Sequence, residues 1–149
     1  TVLEILTYMP AFRVKIITNS VPVMETVYRD ENIDLYMAPG LYRSLGGPLD
    51  YATAEYLSRF HYNKAFFGSN SYDPVFGASA AEEIEAAVKK CVLGNSDENY
   101  LLVDHSKMGK RSFVKYADTV DYTGILSDEE LDIDWRTKII QNGGSLILC

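Results

Sequence analysis

Cysteine is scarce in this 149-residue chain, which has only Cys91 and Cys149. Neither stands at metal-ligand spacing, and so few thiols make no disulfide framework. The expected state is reduced structural thiols in a cytoplasmic protein, with no metal. Positive charge is also in short supply. Fourteen Lys and Arg face 21 Asp and Glu, a formal charge of −7. That balance argues against nucleic-acid binding by this stretch, because phosphate backbones demand clustered cations. No apolar run approaches the roughly 20 residues of a membrane span, and no signal-peptide pattern opens the chain, so no membrane partner is expected. There is no internal repeat and no low-complexity linker. The glycine-rich stretch 39–48 lacks the G-x-G-x-x-G spacing, so no dinucleotide cofactor is expected, and no other cofactor either. What is present is 47% hydrophobic residues, ordinary for one globular domain. The first residue is Thr1 rather than Met, and residues 1–9 already read as the rear of a helix stopped by Pro10. The chain therefore reads as part of a longer one.

Strands and helices alternate. Val14-Lys15-Ile16-Ile17-Thr18 is a β-branched run with strand character, and residues 33–37, 64–68 and 100–103 repeat the pattern. Residues 113–116, 123–127 and 145–148 are further strand candidates. Helices are expected from Val21, from Leu49, from a capping box at Ser79-Ala80-Ala81-Glu82, and from a cap at Ser127 or Asp128. The third helix has Ile84, Ala87, Val88, Cys91 and Val92 as its apolar stripe, and Gly94 stops it. The fold class is α/β: one domain with a mostly parallel, Rossmann-like sheet flanked by helices.

Residues 99–111 concentrate the chemistry. A wholly apolar strand runs into Asp104, followed by Ser106, Lys107 and Gly109. A Lys beside a hydroxyl and a flexible glycine suits a compact anion such as phosphate, and a solvated surface loop is the plain alternative. The same theme recurs twice. Thr18-Asn19-Ser20 follows one strand, as a helix cap or as an anion site, and Gly68-Ser69-Asn70 follows another. If the strands are parallel, the three loops open on one sheet edge, where ligands of open α/β sheets bind. Three small-polar loops and a lysine would suit a phosphorylated, hydroxyl-rich small molecule.

Other constellations fail. Asp104, His105 and Ser106 are hydrolase-triad types, but consecutive residues point in different directions. Gly109-Lys110-Arg111-Ser112 lacks the P-loop hydroxyl and its earlier glycine. His61 and His105 have no neighbouring ligand pattern.

The succession Thr18-Asn19-Ser20, Pro39-Gly40-Leu41-Tyr42-Arg43, Gly47-Pro48-Leu49, Lys64-Ala65-Phe66-Phe67-Gly68 and Asp104-His105-Ser106-Lys107-Met108-Gly109 resembles the sensor domain of DeoR-type transcriptional repressors. The similarity runs over nearly the whole chain. It implies a fold like that of ribose-5-phosphate isomerase and CoA transferases, and an effector site for a sugar phosphate. It also implies a separate N-terminal winged helix-turn-helix as the only contact with operator DNA, and assembly into a homo-oligomer. The resemblance assigns effector binding to Thr1, at the end of a phosphate loop, and to Thr18, Asn19 and Ser20 in a second loop. It adds Gly40 and Gly47 in the glycine-rich connection, Gly68, Ser69 and Asn70, then Asp104, and Lys107 against the phosphate. Three features depart from the pattern: Pro39 replaces a glycine, Met108 stands where Phe is usual, and the segment 43–47 is short. Catalysis is not expected. A sugar-phosphate isomerase would need a general base where this chain has Asn70, with Asp73 as the nearest substitute. A bare oligomerisation module would leave the polar loops without explanation.

Overall fold

The computed structural model describes residues 2–9, 12–42 and 46–149. Thr1, the helix stop at Pro10 and most of the short segment at 43–47 lie outside them. The chain opens with a 3₁₀ helix at Val2–Tyr8, where a wider helix is expected from the sequence. Thr7 returns its hydroxyl to the carbonyl of Glu4 at 2.7 Å, competing locally with α-helical pairing. Then come β1 (Val14–Thr18), α1 (Val21–Val27), β2 (Ile33–Met37) and α2 (Tyr51–Leu57). They are followed by β3 (Tyr62–Gly68), β4 (Ser71–Asp73), β5 (Gly77–Ala80), α3 (Glu83–Gly94) and β6 (Ser96–Leu102). The chain ends with β7 (Val114–Ala117), β8 (Gly124–Ser127), α4 (Ile133–Gln141) and β9 (Leu146–Leu148).

The α/β expectation holds. A four-stranded sheet in the order β3-β6-β8-β9 is parallel throughout, and β1 and β2 form a separate parallel pair. Antiparallel strands β4, β5 and β7 make a third, smaller sheet. The main core gathers Tyr72, Leu101, Ile125, Leu131 and Ile139, each with 1% exposure or less. Each buried Leu or Ile contributes about 1.5–3 kcal/mol. A smaller cluster joins Ile17 of β1 to Ala54 and Leu57 of α2 and to Val88 and Val92 of α3.

Four sequence expectations need correction. Ser79 is not a helix cap. It lies in β5, and its hydroxyl accepts from the Ser112 amide at 2.8 Å, while α3 starts four residues later with no side-chain cap from Glu82. The stripe of α3 turns accordingly: Ala86 is buried and Ala87 is exposed. Helix α4 is capped by Asp132, whose carboxylate takes the Asp134 amide at 2.7 Å, because Ser127 belongs to β8 and Asp128 is engaged by His105. Finally, residues 71–80 are a hairpin of short strands instead of a loop.

Candidate functional site

Register brings two of the three polar loops together. Gly68 pairs with Leu102 at the carboxyl ends of β3 and β6, so the chain leaves both strands side by side. Tyr72 then bridges Met108 in parallel sense, which runs 69–72 alongside the Asp104–Lys107 turn. Gly68 lies against the Val2 side chain, where a Cβ would come within 3.3 Å.

The polar groups of this edge divide into committed and uncommitted. Ser69 is buried and closes its own turn, with its hydroxyl donating to the Ser71 carbonyl at 2.9 Å. Asp104 caps the 3₁₀ turn His105–Lys107 by accepting from the Ser106 amide and hydroxyl. The Ser106 hydroxyl holds the Asp104 carboxyl below the usual range, with help from the nearby Lys107 charge. His105 is clipped to Asp128, its amide donating at 3.0 Å and its Nδ1 meeting the second oxygen at 2.9 Å. Asp73 is buried; it accepts from the Val75 and Phe76 amides at 2.9 and 2.8 Å and faces Arg111 at 3.2 Å. Gly109, at φ +70, lies flat beneath Trp135, and a Cβ there would come within 2.7 Å of the indole. Two side chains remain. Exposed Asn70 and half-buried Lys107 make no side-chain hydrogen bond or close ion pair among the described residues, the Lys107 charge acting on Asp104 only from nearby.

The other predicted residues form a second group, tied to one another. Thr18 accepts the Ser20 amide at 3.0 Å, and Ser20 caps α1 through the Val23 amide at 3.4 Å. Asn19 donates to the Pro48 carbonyl at 3.0 Å. Gly47 exists for close approach: at φ +137, a Cβ would stand 1.7 Å from the Asn19 carbonyl oxygen. Gly40, at φ +142, is pressed against Thr53 and Asp50. The Asp50 carboxylate accepts from the Thr53 and Leu41 amides at 3.0 and 2.8 Å, which together lower its pKa. The anion position at the start of α2 is thus filled from within.

The Asp73–Arg111 pair and the His105–Asp128 clip were not legible in the sequence, since each joins residues more than 20 positions apart. Two surface hollows lie elsewhere. One, of about 220 Å³, is lined by Pro39, Ala52, Glu55, Tyr56 and Arg59. The other, of about 420 Å³, carries Asp50, Glu82 and Glu83 and no cation, which suits a phosphate poorly. Among the described residues, no three His, Cys, Asp or Glu side chains are placed to hold a metal ion, and no helix is long and apolar enough to cross a membrane.

Comparison with known proteins gives consistent matches. Residues 1–129 fit the DeoR C terminal sensor domain. The HTH-type transcriptional regulator IolR of Bacillus subtilis is 31% identical over 130 residues, covering 85% of this chain and 51% of that protein. The lactose phosphotransferase system repressor of Staphylococcus epidermidis is 29% identical over 131 residues, covering 86% and 51%. The glycerol-3-phosphate regulon repressor of Haemophilus influenzae is 26% identical over 140 residues, covering 90% and 55%. The chain spans about half the length of the curated relatives it matches.

Proposed function

The chain belongs to the family of DeoR C-terminal sensor domains, and from that premise we propose that it is the effector-sensing part of a cytoplasmic bacterial regulator of sugar metabolism. Its ligand is a phosphorylated sugar, bound at the carboxyl edge of β3 and β6. The observation that carries this reading is Lys107, a half-buried cation in no close ion pair among the described residues, with the Asp104 carboxyl its nearby opposite charge, on the same edge as the uncommitted amide of Asn70. A lysine held on a short capped turn with its ammonium in no close ion pair is a point charge ready for a phosphate. The names of two relatives, a lactose phosphotransferase system repressor and a glycerol-3-phosphate regulon repressor, point to phosphorylated carbon sources as the ligand class. Thr1, Thr18, Asn19, Ser20, Gly40, Gly47, Gly68, Ser69 and Asp104 shape the loops around the ligand. DNA contact belongs to an N-terminal helix-turn-helix, and the regulator works as a homo-oligomer. The effector acts by binding one arrangement of the regulator more tightly than another, since equal affinity for both would shift nothing.

The isomerase alternative loses its base. The lone pairs of Asp73 already serve two amides and Arg111, and the group is buried. A general base must instead reach the substrate's proton directly. The test is a thermal-shift screen of the full-length protein against sugar phosphates and their unphosphorylated parents. A ligand at 100 times its dissociation constant adds about 2.7 kcal/mol. The reading expects one phosphate to stabilise the protein without being turned over. Stabilisation by no phosphate would sink it, and turnover would revive the enzyme.

A further inference from the structure

The turn that carries Lys107 is fastened to the segment that follows β8. The His105 amide donates to one Asp128 oxygen at 3.0 Å, and the His105 ring meets the other through Nδ1 at 2.9 Å. The far side of the ring also faces a carboxylate, with Nε2 standing 3.6 Å from a Glu130 oxygen. That segment is itself held down. Leu131 is buried in the main core, and its amide donates to the Asp128 carbonyl at 3.3 Å. The Arg136 guanidinium of α4 donates to the carbonyls of Glu129 and Leu131 at 2.6 and 2.7 Å. Asp128 is therefore mounted on the core, and the Lys107 turn is mounted on Asp128.

We propose that Asp128 is a positioning residue for the Lys107 turn, and that His105, held between Asp128 and Glu130, tightens the anion site of that turn as pH falls. The proposal rests on the reading of Lys107 as the anion contact and adds a regulation of that contact. An ionised carboxylate only accepts hydrogen bonds, so in the neutral ring the proton sits on Nδ1, toward Asp128. Nε2 then turns a lone pair toward the Glu130 carboxylate, and no hydrogen bond joins them. A second proton makes Nε2 a donor, and the turn becomes tied to the segment at both ring nitrogens. Histidine suits this task because its charge ordinarily changes between about pH 5 and 8. The charged groups around the ring are Asp128 and Glu130 from the segment after β8, and Asp104 and Lys107 on its own turn, of which Asp104 is taken by Ser106. Their field works in the same direction. Beside a neutral ring stand two negative charges, and a protonated ring cancels one of them, which lowers the repulsion of an anion at Lys107. Burial pushes the Asp128 carboxyl up, but the His105 amide and ring prevail and hold it below the usual carboxylate range, so the clip stays charged over this interval. Glu130 and Arg136 lie beyond residues 1–129, so the outer half of the clasp is outside the stretch that matches the family.

Titration of the full-length protein with sulfate tests it, since sulfate keeps its charge over a range where a phosphate ester itself titrates. Wild type is expected to bind sulfate about twofold to fivefold more tightly at about pH 6 than at about pH 8, the scale of one exposed ion pair. His105→Asn keeps a donor for Asp128 but takes up no proton, and its affinity is expected not to change with pH. An equal gain in His105→Asn, or none in wild type, would overturn the proposal alone, provided that Lys107→Ala still loses sulfate. Sulfate that binds nowhere, or binds Lys107→Ala as well as wild type, would remove the Lys107 site and the proposal with it. The positioning role is read without any ligand, from hydrogen exchange of the Lys107 and Met108 amides, which close the turn on Asp104 and His105 at 2.9 and 3.2 Å. Asp128→Asn is expected to lower their protection, and Asp128→Glu to restore part of it. Unchanged protection in Asp128→Asn would overturn the positioning role whatever the sulfate result.

Discussion

Lys107, Asp73 and Gly47 illustrate three ways in which one residue can matter here. Lys107 makes no close side-chain hydrogen bond or ion pair among the described residues and acts on Asp104 only as a nearby charge, so Lys107→Ala should change stability by no more than about 0.5 kcal/mol in thermal unfolding. Its effect should appear only with ligand present. Asp73 carries a stability term that depends on pH. Burial pushes its carboxyl up, but the Phe76 and Val75 amides and the Arg111 guanidinium prevail and hold it below the usual carboxylate range. A carboxyl lowered on folding stabilises above its unfolded value of about 3.9, and that contribution is lost as pH falls through the folded value. Urea midpoints followed from pH 7 to pH 3 should therefore fall less steeply at the acid end in Asp73→Asn than in the parent. Parallel curves would remove Asp73 from the account. Gly47→Ala should cost at least about 1–3 kcal/mol, because the new Cβ meets the Asn19 carbonyl at a φ that side chains avoid. The family resemblance assigned Gly40 and Gly47 to ligand contact. Their close backbone and side-chain neighbours also give each a packing reason that no local pattern reveals.

Elements with strong internal signals were legible. β1, β2 and β3 follow from β-branched and aromatic runs, and Ser20 before a helix reads as a cap, whereas the Asp50 cap of α2 was missed in a helix expected from Leu49. The β4–β5 hairpin was not legible. Gly77–Ala80 is buried at every position, so it shows no alternation, and its Ser79 imitates a capping box. The start of α4 was misplaced for a related reason. Of the acids before it, Asp128 is drawn to His105 and Asp132 is left to cap, and only tertiary contact distinguishes them. Helix α4 lies beyond the residues matched by the family, yet Ile139 and the preceding Leu131 are fully buried in the main core. Ile139→Ala should accordingly cost about 2–5 kcal/mol in denaturant unfolding. A cost near zero would mean that α4 is an appendage.

At the scale of the whole molecule, the polar loops resolve into two groups. Thr18, Asn19, Ser20, Gly40 and Gly47 brace one another and α1 and α2, while Gly68, Ser69, Asn70, Asp104 and Lys107 share the carboxyl edge of β3 and β6. The pair β1-β2 and the sheet that starts at β3 share no ladder, and this is why the common edge expected from sequence was only partly visible. Sensing needs no catalytic group, only a site whose occupancy biases the regulator. In the proposed reading that site is marked by Lys107, which makes no close side-chain hydrogen bond or ion pair among the described residues. The most direct measurement is calorimetric titration of the full-length protein and of Lys107→Ala with a sugar phosphate and with its unphosphorylated parent. A charge-assisted hydrogen bond is worth about 1.5–3 kcal/mol, so the account predicts that the variant binds the phosphate about tenfold to a hundredfold more weakly. It also predicts little binding of the parent sugar by either protein. Equal affinity of variant and wild type for the phosphate, or equal affinity of the wild type for sugar and sugar phosphate, would contradict it.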